Sequence, residues 1–272
     1  MLGILLASMK RLLLSLCLFC LCGFHAIAEN VPSAEKIAEY RKAAEQGDAQ
    51  AQYQLGACYS RGTGVTKDKA EAVKWFRKAA EQGNANAQVK LGRCYAYGAG
   101  VTKDEVTAVS WFRKAAEQGD AKAQCVLGWC YNNGTGVAKD GAEAVKWYRK
   151  AAEQGNTLAQ YNLGVCYNKG EGVKKDDAES MKWFREAAEQ GNAEAQLLLG
   201  FSYLCGAGVA MDNVVGLKWI RKAAERGNAE AQYHLGMCYE EENGLYNLKC
   251  VSKNDAEAVK WYRVGGHPKC TT

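Results

Sequence analysis

Apolar residues recur along the chain at intervals that predict short amphipathic helices. Ala72, Trp75, Phe76 and Ala79 follow the i, i+3, i+4, i+7 spacing of one buried helical face. Lys74, Lys78 and Glu81 lie on the opposite, solvated side of the same helix. We therefore predict a helix, called helix B, over residues 69–82.

A second helix, called helix A, is predicted over residues 49–60. Gly56 stands in its middle, where glycine costs about 1 kcal/mol relative to alanine. A close helix crossing explains this glycine, and we expect the ring of Trp75 to lie on its bare backbone. A G-x-G-V loop follows helix A, and Asp68 then precedes helix B as an N-cap. A Gly-Asn pair ends helix B and caps the next helix.

The two-helix pattern is repeated with a period of 36 residues. Tryptophan marks the period five times, a sixth tryptophan comes 42 residues later, and a Leu-Gly pair recurs in all six copies. One pair of helices cannot bury both of its faces, so the copies must stack on one another. The sequence therefore predicts an all-α solenoid without strands. The six units span residues 49–84, 85–120, 121–156, 157–192, 193–228 and 229–266, with a capping helix at residues 29–48 and a short C-terminal tail.

The first 28 residues are a different kind of sequence. Lys10 and Arg11 precede the apolar run LLLSLCLFCLCGF, and Ala-Ile-Ala follows at residues 26–28. A charged start, an apolar run and small residues are typical of a secretory signal peptide, and the run is shorter than the ~20 residues of a spanning helix. We expect cleavage before Glu29, export to the periplasm or the medium, and no stable membrane anchor afterwards.

The charge of the chain does not indicate a polyanionic partner. Loss of Lys10 and Arg11 with the signal would leave a net charge of +3, two less than the +5 of the whole chain. Lysine and glutamate are interleaved along the units, as on solvated helix faces. We therefore expect no binding to nucleic acid or to an anionic membrane.

The repeated motif resembles that of a known family. Units 1 to 5 read L-G-x-x-Y-x-x-G-x-G-V-x-x-D followed by a version of A-V-K-W-F-R-K-A-A-E-Q-G, and unit 6 has six extra residues within 240–253 in place of the Gly-rich loop. The match extends over about residues 33–263. This is similar to the Sel-one-like repeat, a relative of the tetratricopeptide repeat. The resemblance implies a right-handed α-solenoid that acts as a scaffold or adaptor for other proteins, with secreted bacterial members and no catalytic residue. A cysteine-rich subfamily joins its two helices by disulfides, but Ala79 and Ala80 stand at the helix B positions here.

Nine of the twelve cysteines remain after signal cleavage. Five of them occupy one position of helix A, and we interpret them as small buried residues, since equivalent atoms of stacked helices are roughly 8 to 10 Å apart. Cys250 and Cys270 lie outside the repeat. We predict that these two pair in an oxidising compartment and staple the C-terminal end. The five repeated cysteines are Cys58, Cys94, Cys130, Cys166 and Cys238.

Residues for metal binding or catalysis are scarce. Only His234 and His267 remain after signal cleavage, which leaves little for histidine-dependent catalysis. Cys125 and Cys130 point about 140° apart on a helix and do not form a metal site. The sequence indicates no enzyme, no metal and no cofactor.

Differences between the six copies indicate where a partner binds. Some helix A positions repeat almost without change, whereas four others change in character from copy to copy while lying on one side of the helix. These are the positions of Gln50, Gln54, Ala57 and Arg61. Large exposed apolar groups on a rigid scaffold are typical of a binding groove. We predict that this face, called the helix A face, is concave and binds a partner. Its predicted residues are Gln54, Lys90, Arg93, Val126, Trp129, Asn133, Asn162, Leu198, Phe201, His234 and Met237.

The sequence thus favours an exported, non-enzymatic α-solenoid that binds another protein or a peptide. Two alternatives stay open at this point. One is a cell-envelope hydrolase or a binder of cell-wall fragments, with β-lactamase-like activity as proposed for the cysteine-rich relatives. The other is a purely structural homo-oligomer.

Overall fold

The computed structural model describes residues 32–240 and 253–265, and the regular structure in these ranges is entirely α-helical. The predicted signal peptide and the predicted Cys250–Cys270 disulfide lie outside the described residues. The described helices are α1 (Ala34–Glu45), α2 (Ala49–Arg61), α3 (Lys69–Glu81), α4 (Ala85–Tyr97), α5 (Glu105–Glu117), α6 (Ala121–Asn133), α7 (Gly141–Glu153), α8 (Thr157–Lys169), α9 (Asp177–Glu189), α10 (Ala193–Cys205), α11 (Asn213–Glu225), α12 (Ala229–Glu240) and α13 (Asp255–Val264).

The caps predicted from the sequence set the helix ends. The Asp68 carboxylate accepts a hydrogen bond of 2.9 Å from the backbone N–H of Glu71 at the start of α3. The Asn84 side chain accepts one of the same length from Ala87 at the start of α4. Gly62 ends α2 in the left-handed region, with φ of 79°, which is the conformation that glycine adopts at no steric cost. The predicted all-α repeat of helices A and B is confirmed.

Each helix packs mainly on the helices before and after it in the chain. The A helices are α2, α4, α6, α8, α10 and α12, and α1 packs on α2 as a B helix does in later units. Ser33 caps α1 by accepting a hydrogen bond from the backbone N–H of Lys36. Contacts mainly between helices that are neighbours in the chain are typical of a solenoid. The stability of a solenoid is approximately a sum of contributions from the units and from the interfaces between them.

The ring that lies on the helix A glycine is not the predicted tryptophan. A Cβ atom built on Gly56 would stand 2.8 Å from Cδ1 of Phe76, and Phe112, Tyr148 and Phe184 take this place in units 2 to 4. Consecutive helical residues point about 100° apart, so Trp and the following residue cannot both face their own helix A. The tryptophan packs instead towards the preceding helix B, as Trp147 does in the cluster that contains Val109 of α5.

A ladder of glutamines joins successive units along one edge. Gln52 is buried, donates to the carbonyl oxygen of Ala44 at 3.1 Å and accepts from Gln82 at 2.7 Å. Burial of an amide costs free energy unless its polar atoms are bonded, and the ladder supplies these bonds. The same two bonds recur at Gln88, Gln124 and Gln160, each of which donates to an alanine carbonyl of the preceding helix and accepts from a glutamine at the end of the following helix B.

The ladder is interrupted in the fifth unit. Gln196 still donates to Ala188 at 2.9 Å, but residue 226 is an arginine where earlier units have glutamine. The Gln196 Oε1 atom therefore has no hydrogen-bond partner among the described residues, although Gln196 is buried, with only 2% of its surface exposed.

Candidate functional site: the helix A face

Burial separates two classes of position on the A helices. The positions of Ala51, Gln52, Leu55 and Gly56 are buried in all six units. The position of Gln54 is half-buried in all six, and the position of Arg61 is exposed in each of the five units where it is described. The positions that repeat are thus the packing face. Those that vary are half-buried or exposed in the rows of Gln54 and Arg61, and in the row of Ala57 everywhere except at Ala57 itself, which is buried. The half-buried row is Gln54, Lys90, Val126, Asn162, Leu198 and His234.

The apolar residues of the helix A face also belong to the contacts between units. Trp129 is half-buried and packs against two core clusters, one with Leu127 of its own helix and one with Leu163 of the next A helix. Phe201 packs in the same way on the cluster that contains Leu235. These rings face outward with only part of their surface, because the remainder covers the seam between neighbouring units. Val126, Leu198 and Met237 are likewise half-buried.

Polar side chains on this face differ in how they are bonded. Asn133 is exposed and donates to the carbonyl oxygen of Trp129 at 2.8 Å. The Asn162 Nδ2 and His234 Nδ1 atoms are buried and have no hydrogen-bond partner among the described residues. His234 stands edge-on to Phe201, with ring centroids 4.8 Å apart, and burial lowers the pKa of its imidazole. At neutral pH this burial favours the uncharged ring.

The first three units carry basic groups on this face. Lys90 and Arg93 lie one turn apart on α4 and are half-buried. Burial and then the charges of Arg93 and Arg61 lower the pKa of Lys90. The charge of Lys122 also lowers the pKa of Lys90, but by less. Lys90 and Arg93 were predicted as site residues from the sequence, whereas Arg61 and Lys122 were not. The variation between copies pointed to both, because Arg61 stands in the row of the predicted residue Asn133 and Lys122 stands in the varying row of Gln50.

A cavity opens on this face at its first unit. It has a volume of about 260 Å³ and is lined by Gln54, Ala57 and Arg61 from α2 together with Tyr40 and Pro32. The predicted residue Gln54 is thus placed at a concave point of the surface, next to the capping helix α1.

The prediction that the repeated cysteines are small buried residues is confirmed for four of the five. Cys58, Cys130, Cys166 and Cys238 are buried, and Cys94 is half-buried. Burial raises the pKa of the Cys130 and Cys166 thiols to about 12, which makes both poor nucleophiles.

Two further features, metal-binding groups and membrane-spanning helices, are assessed only for the part of the chain that the structure describes. In that part, no group of histidine, cysteine and carboxylate side chains is arranged to hold a metal ion. None of the helices described has the length and apolar character needed to cross a bilayer.

The chain was compared with known proteins. The Sel1 repeat family model matches residues 40–48 and then 49–84, 85–120, 121–156, 157–192, 193–228 and 229–264. A search of curated proteins found no match.

Solved structures with the same fold come from several bacteria. The structure of c5321, a protective antigen of uropathogenic Escherichia coli, is 42% identical with a TM-score of 0.78 over 86% of this chain, which spans only 49% of that antigen. A Sel1 repeat protein from Oxalobacter formigenes is 36% identical with a TM-score of 0.73, and the match covers 85% of this chain and 96% of that one. The immunity protein PA5088 from Pseudomonas aeruginosa shares the fold at 20% identity and a TM-score of 0.53, over 80% of each chain.

Proposed function

Because the chain belongs to the Sel1 repeat family, we propose that it is an exported scaffold that binds another protein, or a peptide segment of one, through the helix A face. Proteins of this family generally mediate interactions between proteins, and most are scaffolds without catalytic activity. Two parts of the proposal go beyond the family as a whole: binding through the helix A face, and export of the chain from the cytoplasm.

One observation carries the proposal: the accessible positions of the A helices vary widely in charge and polarity, while four buried positions beside them repeat in all six units. Lys90, Trp129 and His234 are examples of residues that stand at accessible positions of otherwise repeated helices. The buried positions that do change exchange one apolar or small residue for another, as Phe184 and Ile220 do. Changes of charge and polarity concentrated on one accessible face are what selection for a particular partner surface produces.

Export is supported by the leader pattern of residues 1–28 and by the similar E. coli chain, which is a protective antigen. The test is N-terminal sequencing of the chain recovered from the envelope and the medium of its source organism. A chain that begins at Glu29 is the expected result. Recovery of the intact leader from the cytoplasm alone would overturn this part of the proposal.

The binding face can be tested by site-specific photo-cross-linking in the same organism. A benzophenone side chain is placed at Asn133 or Tyr97, which are exposed on the helix A face, and at Ser110 or Lys146, which are exposed on B helices. We expect a discrete cross-linked protein from the first pair only. Equal cross-links from both pairs would contradict the assignment of the face. Cross-links only to a second copy of the chain would favour the structural homo-oligomer instead.

A further inference from the structure

Four of the five lysine and arginine residues of the helix A face lie in units 1 to 3, and the fifth, Lys169 in unit 4, lies 3.9 Å from the carboxylate of Glu171. Lys90 and Arg93 lie on α4, Arg61 is the last residue of α2, and Lys122 is the second residue of α6. All three neighbours lower the pKa of Lys90, so each of them lies within electrostatic reach of Lys90. Within the described ranges, no ion pair joins Lys90, Arg93 or Lys122 to a carboxylate.

The stack does not need these cations. Other units carry Gln54, Val126 or Asn162 at the position of Lys90, and Val165 at the position of Arg93, in helices of the same length. Like charges held together on a half-buried surface repel one another, and the repulsion is offset when an anion binds among them. The cluster is therefore suited to carboxylates from outside the chain.

The opposite end of the same face carries the opposite charge. Glu194 and Glu230 stand in units 5 and 6, in the row that Lys122 occupies in unit 3, and the described structure gives neither of them an ion pair. A polyanion such as a nucleic acid, running along the face from the basic end, would meet these carboxylates. Charge complementarity thus favours a ligand that is itself charge-separated. The half-buried rings of Trp129 and Phe201 stand in units 3 and 5, and the half-buried side chains of Leu158 and Val165 lie between them in unit 4.

We propose that the helix A face binds an extended segment of a partner protein with acidic residues over units 2 and 3, apolar residues in the middle, and basic residues over units 5 and 6. This rests on the proposed function and specifies the chemistry of the partner. Units 2 and 6 are four steps apart, which at roughly 10 Å each gives about 40 Å, and an extended segment of about twelve residues spans this distance.

The probe is a blocked, fluorescent twelve-residue peptide with four glutamates, four apolar residues and four lysines in that order. Its matched control has the same composition with glutamate and lysine alternating. Binding to the chain that begins at Glu29 is measured by fluorescence anisotropy at 20 and 300 mM salt. We expect the charge-separated peptide to bind about tenfold more tightly than the alternating one, the effect of two or three accessible ion pairs. The difference should shrink at the higher salt concentration.

Two double variants locate the site. Lys90→Glu with Arg93→Glu reverses the basic end, and Lys174→Glu with Lys218→Glu makes the same change of charge at exposed positions off the helix A face. The first double variant should lose the tenfold preference and the second should keep it. Thermal unfolding of both variants checks that the stack is intact.

Three results would overturn the inference: equal binding of the two peptides, no binding of either at millimolar concentration, or tighter binding of hexathymidylate than of the charge-separated peptide. Cross-links from Asn133 and Tyr97 to a discrete protein would still support the proposed function in each case. The two proposals can therefore fail separately.

Discussion

Units 4 and 5 are built on one plan but fill their centres differently. In unit 4 the Phe184 ring lies on Gly164, where an added Cβ would stand 2.6 Å from Cδ1 of the ring, and Ser180 donates to the Gly164 carbonyl oxygen at 2.8 Å. In unit 5, Ile220 takes the place of the ring and Gly216 the place of the serine. Both units nonetheless keep two helices of 13 residues with the same kinds of cap.

Leu204 accounts for the tolerance of unit 5. It is buried, and a Cβ atom added to Gly216 would stand 2.7 Å from its Cδ2 atom, so the leucine occupies the volume that the serine side chain would need. The corresponding residue of unit 4 is the exposed Asn168. The core keeps its filled volume while the residues that fill it change together, which is the kind of exchange that protein cores tolerate best. What looks like drift in the sequence is therefore a coupled substitution.

The two units should differ most in thiol reactivity. Cys166 of unit 4 is buried, with its pKa raised to about 12, whereas unit 5 has Ser202 at that position and an exposed thiol at Cys205. At pH 8 the fraction of Cys166 present as thiolate should be about a thousandfold lower than for an ordinary thiol with a pKa of about 8.5. Alkylation followed by peptide mass mapping should label Cys205 first. Labelling of both at similar rates in the folded chain would show that unit 4 opens far more readily than its packing indicates.

The coupling of Leu204 and Gly216 can be broken by one methyl group. Gly216→Ala should destabilise the chain by roughly 1–2 kcal/mol, because overpacking outweighs the gain in helix propensity. The added methyl meets both Leu204 and the carbonyl oxygen of Gly200, at 2.9 Å. Urea unfolding of the single variant is compared with the same change in a Leu204→Ala background. A cost that is equal in both backgrounds would contradict the coupling.

The smallest expected effect is the change in stability when the interrupted glutamine ladder of unit 5 is restored. Arg226→Gln restores the donor that Gln196 Oε1 lacks, and a buried hydrogen bond contributes about 1 kcal/mol to stability. The matched control is Gln154→Arg in unit 3, which removes the amide group that donates to Gln124 Oε1 at 2.7 Å and should cost about as much. Both are measured by urea unfolding. If Arg226→Gln leaves stability unchanged, the fifth unit satisfies this oxygen in another way.

Repetition made the helices and their caps predictable. Asp68 and its counterparts stand at a fixed distance from each Leu-Gly pair, and local rules of capping then decide the helix ends. The rotation of one helix against the next was harder to predict. Trp75 and Phe76 are adjacent and both apolar, so periodicity alone could not say which of them lies on Gly56. The half-burial of Trp129 was missed for the same reason, because it depends on how closely the following unit approaches.

Contact between neighbours only has a consequence for the evolution of the chain. Since each unit meets its neighbours through nearly the same residues, a crossover between two copies of the repeated DNA would remove or add 36 residues and leave the junctions compatible. Loss of residues 121–156, for example, would place Asn162 and Val165 beside Lys90 and Arg93. A single recombination event could therefore produce a new sequence of side chains along the binding face without a single substitution. The packing of the stack would carry over unchanged from the parent.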